Sequence, residues 1–131
     1  MGPPAVDPQH ARRYRYTAPS GWSIADTCDL ATRWCGPGGD ELVIHPARAA
    51  RADELLAAIA RGATLVEVRA PSSPCLARAW RGGDLAVVIL DDGRFRYPIE
   101  LRGGNDDVLA CVVASVRLVP PTRAPLVGWM D

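Results

Sequence analysis

The sequence predicts one α+β domain, an antiparallel β-sheet with helices packed against it. Two observations point there. Three strand-length apolar or alternating segments follow one another between Cys75 and Arg102, separated only by Gly82-Gly83 and by Asp91-Asp92-Gly93. Two segments with helical spacing of apolar residues, at 47–61 and 105–114, flank that meander. A meander beside amphipathic helices buries both kinds of apolar face in one core. The 131 residues suffice for one such core and not for two.

Residues 1–11 are Pro-rich and aperiodic, so they read as a loose tail. From Arg12 the chain alternates, with Arg13 and Arg15 on one side and Tyr14 and Tyr16 on the other. That is the pattern of a half-buried strand. Pro19-Ser20-Gly21 turns it, and Gly21 to Thr27 is expected to return as the second strand of a hairpin. Gly36-Pro37-Gly38-Gly39 is a further turn, followed by a short strand from Glu41 to His45 that Pro46 closes. Ala47 to Arg61 is expected to be helical, because Ala52, Leu55, Leu56 and Ile59 form one stripe. Asp53 and Glu54 suit its early turns, Arg61 its last turn, and Gly62 the C′ position.

Thr64 to Ala70 alternates again, Val66 and Val68 against Glu67 and Arg69. Cys75 to Arg81 is the next strand, and Asp84 to Leu90 carries a continuous apolar run that marks a central strand. Asp-Gly is the hairpin signal that leads into Phe95, Tyr97, Ile99 and Leu101, alternating with Arg94, Arg96, Glu100 and Arg102. Asn105 caps a second helix, with Asp106 and Asp107 in its first turn. A short strand within 115–119 ends the domain, which spans 12–120, and 121–131 is a C-terminal tail.

Fifteen arginines balance fifteen acidic residues, and there is no lysine. No net field gathers a nucleic-acid backbone or anionic lipid, so nucleic acid is not an expected partner. The arginine bias, with abundant Ala, Gly and Pro, has the look of a GC-rich bacterial genome. The N-terminus lacks a cationic start and an apolar run, and no stretch is long enough to span a bilayer. A cytoplasmic protein without membrane insertion is expected. Of Cys28, Cys35, Cys75 and Cys111, the last is expected to be a buried small hydrophobe. Free thiols are the simpler reading, with a Cys28–Cys35 disulfide as the competitor.

Catalytic or metal chemistry needs convergent polar groups, and the sequence offers few. His10 falls in the tail, and His45 stands beside Pro46 with no ligand near it in sequence. A lysine-free chain has no P-loop, and no Gly-x-Ser-x-Gly elbow is present. Asp91-Asp92 and Asp106-Asp107 occupy a turn and a helix start, where Asp is ordinary. No catalytic residue, metal site or cofactor is expected. Partner-binding candidates are Trp34 and Trp129, as exposed aromatic anchors, and Arg94, Arg96 and Arg102, as one strand face that would meet an acidic partner. Trp22 and Trp80 are expected in the core. A solvated outer face is the simpler account of the arginines.

The aromatic strand running into Pro19-Ser20-Gly21-Trp22 looks like a P-x-G-W hairpin. The closing helix followed by Ser115-Val116-Arg117 is similar to an S-F-R strand ending, with Val116 where an aromatic is usual. Over roughly 12–120 the chain thus resembles the PsbP-like superfamily, in its DcrB/EagR-like bacterial branch. The resemblance implies an α/β/α sandwich, a non-catalytic protein-binding role, and a secretion-associated adaptor or chaperone of the type VI kind. Its partner would be a protein, such as a secreted effector. Trp22 would pack at the hairpin base and Ser115 would begin the last strand. An immunity protein against a toxin is the first alternative. A pocket lined by His45 and acidic groups would instead mark a small ligand-binding or enzymatic domain. A homodimer through an edge strand such as Arg12 to Thr17 is open.

Overall fold

The run from Leu85 to Leu90 is apolar at every position, which is costly on any strand with a wet face. In the computed structural model of the chain, which describes residues 14–28, 31–103 and 106–118, all six of these residues are buried inside a sheet. The described elements are β1 (Tyr14–Arg15), β2 (Ser23–Cys28), β3 (Ala31–Cys35), β4 (Glu41–Ile44), α1 (Ala52–Ala60), β5 (Val66–Val68), β6 (Leu76–Gly82), β7 (Leu85–Asp91), β8 (Arg96–Arg102), α2 (Asp106–Ser115) and β9 (Arg117–Leu118). The order β2-β3-β4-β8-β7-β6-β5 makes a seven-stranded antiparallel sheet, and β1 pairs separately with β9. The expected β6-β7-β8 meander is present in register, with Val88 between Ala79 and Ile99.

Strand alternation divides the apolar residues between two faces. Leu42, Ile44, Ile99, Leu101, Val88 and Leu90 pack under Leu109, Val112 and Val113 of α2. Leu85, Val87, Ile89 and Trp80 pack on the other face under Ile59 of α1, flanked by Leu55 and Leu56. One helix therefore lies on each face of the sheet. Each fully buried side chain of this size contributes roughly 1.5–3 kcal/mol.

Several expectations are corrected. β1 and β2 do not form a hairpin; β2 pairs with β3, a strand not anticipated between the two turns, and β1 pairs with β9. Tyr16 and Ala18 drop into the core, and Tyr16 Oη accepts a 2.7 Å hydrogen bond from Trp34 Nε1. That anchor carries the first segment across the sheet rather than along β2. Within the expected 12–17 strand, β1 pairs with β9 along one side. Helix α1 starts at Ala52, not Ala47, because Arg48 bridges Arg96 through the backbone and the Arg96 guanidinium donates to the Ala49 and Ala50 carbonyls. Arg61 itself takes the left-handed conformation (φ 50°) that ends α1, with Gly62 following at φ 87°. Cys111 is exposed, since α2 turns Leu109, Val112 and Val113 inward instead. Cys35 is a free thiol; it pairs with Ser23, while Cys28 pairs with Ala31 at the opposite end of the hairpin.

Ser115 ends α2 rather than opening β9. Its Oγ donates to the Val112 carbonyl at 2.7 Å and accepts from the Thr17 N–H at 2.8 Å. This hydroxyl fastens the first segment to the last helix. Ser115→Ala is expected to lose about 1 kcal/mol in urea denaturation. No loss would mean that the β1–β9 pairing holds the segment by itself. His10, Asn105, Trp129, Pro120-Pro121 and both tails lie outside the described residues.

Candidate functional site

Helix α1 covers only part of its face of the sheet. Its nine residues reach over β6 and β7 and leave the β8, β4, β3 and β2 portion open. Alternation decides what that open portion shows. Register sets Glu41 opposite Arg102, Val43 opposite Glu100 and Arg33, and Arg33 opposite Asp26, all on one face. With Leu55, Ala58 and Ile59 of α1 as a wall, these residues line a cleft of about 690 Å³. Val43 and Pro98 supply apolar floor, and His45 and Arg48 close one end.

The charges in the cleft are largely organised by the protein itself. Arg33 stands between Asp26, which its Nη2 and Nε contact, and Glu41, whose Oε2 is 2.8 Å from Nη1. The hydrogen bond from Arg33 holds the Asp26 carboxyl below its ordinary range, and the same pairing raises the guanidinium further above its own. Glu100 is buried, with 8% of its surface exposed, and both oxygens are engaged. Oε1 is 2.8 Å from His45 Nε2 and Oε2 is 3.5 Å from Arg102 Nε. A buried carboxylate persists only with such partners. Arg48 and Arg61 also line the cleft, and neither has an ion-pair partner among the described residues. Four guanidinium groups thus face three carboxylates, an excess of one positive charge.

Of the partner-binding candidates within the described residues, only Arg102 belongs to this cleft, and His45, raised from the sequence as a pocket residue, lines it as well. Trp34 is not an exposed anchor: it is 2% exposed, and its indole meets the Tyr16 ring edge-on at 6.3 Å between centroids. It alternates with Arg33 and so points to the α2 face. Arg96 and Arg102 alternate onto one face of β8, while Arg94 lies before the strand, in the turn. Arg94 lies over the Phe95 ring at 5.2 Å, and Arg96 Nε is 3.2 Å from Asp91 Oδ2 while its Nη1 donates to the Ala49 and Ala50 carbonyls of the loop before α1. Trp80 is buried and Trp22 is half-buried, its indole so close over Gly36 that a Cβ there would lie 2.6 Å from Cζ2. Asp92 is a turn residue, accepting from the Arg94 and Phe95 N–H groups and from Tyr97 Oη. Asp106 pairs with Arg81.

Sequence reasoning missed Arg33, Glu41 and the His45–Glu100 pair. The signal for the first two was the alternation Thr32-Arg33-Trp34, legible once 31–35 is taken as a strand. His45 and Glu100 are 55 residues apart, and only the β4–β8 register unites them. Among the described residues the cleft lining contains no serine, threonine or cysteine. Among the described residues no His, Cys, Asp and Glu group is placed to hold a metal ion, and no helix is long and apolar enough to cross a membrane. No protein-family model, curated protein or solved structure matches the chain.

Proposed function

We propose that this protein is a non-catalytic binding module that seats a segment of a protein partner in the cleft between α1 and the open portion of the sheet. One observation carries this reading: a helix that covers part of a sheet face leaves the rest walled, partly apolar and lined by Arg48 and Arg61, which have no ion-pair partner among the described residues. Such a surface offers apolar floor for area burial and Arg48, Arg61 and Arg102 for orientation, the division of labour that partner recognition uses. Among the described residues that line it, the cleft has a histidine–carboxylate pair but no serine, threonine or cysteine beside it, and its carboxylates Asp26, Glu41 and Glu100 are all tied to cationic or imidazole partners, which favours holding a ligand over covalent chemistry. A helix on each sheet face is also what the PsbP-like resemblance leads one to expect. On that resemblance the role is a cytoplasmic, secretion-associated adaptor whose client is a secreted effector.

A second reading has its own support. His45 and three acidic residues do converge in the cleft, and its volume lies within the roughly 300–1,000 Å³ usual for small-ligand sites. A small anionic ligand would then take the place of the protein segment.

A photo-crosslinking side chain at Ala58, in the cleft wall, is compared in cells with one at Ala114, exposed on α2. One discrete protein adduct from position 58 and none from 114 is the expected result. The same adducts from both positions, or none from either, overturns the proposal. A small molecule retained in native mass spectrometry, and lost in an Arg48→Ala/Arg61→Ala variant, would replace it with the second reading.

A further inference from the structure

The two edges of the seven-stranded sheet are not alike. On β2 the register slips between Ile24 and Asp26, and Asp26 is tied to Arg33. A bulge and a charge at an edge are the ordinary protections against pairing with another chain. β5 carries a charge pair as well, Glu67 with Arg78, but its register shows no bulge. Among the described residues nothing pairs with its outer side, and Val66 and Val68 stand 63% and 42% exposed.

We infer that β5 is the seam of a homodimer, in which a second copy of this chain pairs with it antiparallel about Val68. The argument is one of self-complementarity. Continuing the strand by two residues gives Val66-Glu67-Val68-Arg69-Ala70. Antiparallel pairing centred on Val68 sets Val68 against its own copy and Glu67 against Arg69 of the second copy, twice across the two-fold axis. Opposite charges directly across a ladder stabilise it, and like charges destabilise it. The same register sets Val66 of the second copy opposite Ala70. That residue, with Pro71 and Leu109, lines a hollow of about 410 Å³ between β5 and the start of α2. An exposed valine of one copy thereby meets the Ala70, Pro71 and Leu109 part of a recess of the other that Arg81, Asp106 and Asp107 also line, as an isologous contact requires. A strand this short makes a small interface, so a dissociation constant on the order of micromolar is expected. The seam is separate from the cleft, on a different edge of the sheet, and stands or falls without it.

Sedimentation equilibrium of the full chain tests the inference. The wild type is expected to dimerise with rising concentration. Glu67→Arg alone creates two Arg–Arg oppositions, and Arg69→Glu alone two Glu–Glu oppositions, so each is expected to dimerise at least tenfold more weakly. An equimolar mixture of the two variants restores Glu–Arg pairing on both sides and is expected to recover the wild-type mass. Glu67 also pairs with Arg78 within the chain, at 2.8 Å, so circular dichroism confirms that the Glu67→Arg variant is folded. Val68→Lys, which leaves that pair intact, is the second disruptive variant. A monomeric wild type, variants that dimerise as it does, or a mixture that stays monomeric each overturns the seam.

Discussion

Gly82→Ala is expected to destabilise this protein by about 3 kcal/mol and to lower its melting temperature by about 12 °C. A Cβ at position 82 would lie 2.2 Å from the Thr64 carbonyl oxygen and 2.7 Å from Leu65 Cδ2. The first of these atoms belongs to the backbone, so no rotamer change relieves the clash. Relief needs a shift of the segment that leaves α1, and Leu65 on that segment packs against the Trp80 and Val87 cluster. The adjacent Gly83 is the control. It sits at φ 60° with nothing within 4 Å of an added Cβ, so Gly83→Ala suffers backbone strain alone, about 1 kcal/mol. Paired thermal and urea melts separate the two. Equal losses at 82 and 83 would show that the approach of Thr64 is not what makes Gly82 necessary.

Trp34→Ala is expected to lose about 4 kcal/mol, a large share of the roughly 5–15 kcal/mol that holds a domain together. The indole is 2% exposed among core residues that include Leu42 and Val113, and its N–H is donated to Tyr16 Oη. Truncation leaves a cavity beneath α2 and releases the first segment from its anchor. Trp34→Phe keeps most of the buried area and gives up the hydrogen bond, for an expected loss of about 1–2 kcal/mol. A partner anchor behaves in the opposite way, since its removal weakens binding and spares the fold. A Trp34→Ala variant that melts like the wild type would therefore return this residue to the surface.

Legibility tracked the range of the interaction. The β6-β7-β8 meander is written locally, in alternation and in the Gly82-Gly83 and Asp92-Gly93 turns. So are the inward stripe of α1 and the short strand that ends the fold. What failed depended on contacts distant in sequence. Trp34, read from its neighbour Gly36 as an exposed residue, is buried because Tyr16 crosses the sheet to meet it. The early helical residues 47–51 are held extended by Arg96, more than forty positions away.

Amino-acid order alone determines an α+β chain with an apolar central strand and two amphipathic helices, because periodicity is a property of neighbours. The tertiary structure decides which part of a sheet face a nine-residue helix covers, and hence that Arg33, Glu41, His45, Glu100 and Arg102 share one cleft. It also decides which sheet edge is bulged and which is not. Those outcomes follow from strand order and register, which no local pattern encodes, since pairing energies between strands are settled only when the whole core closes.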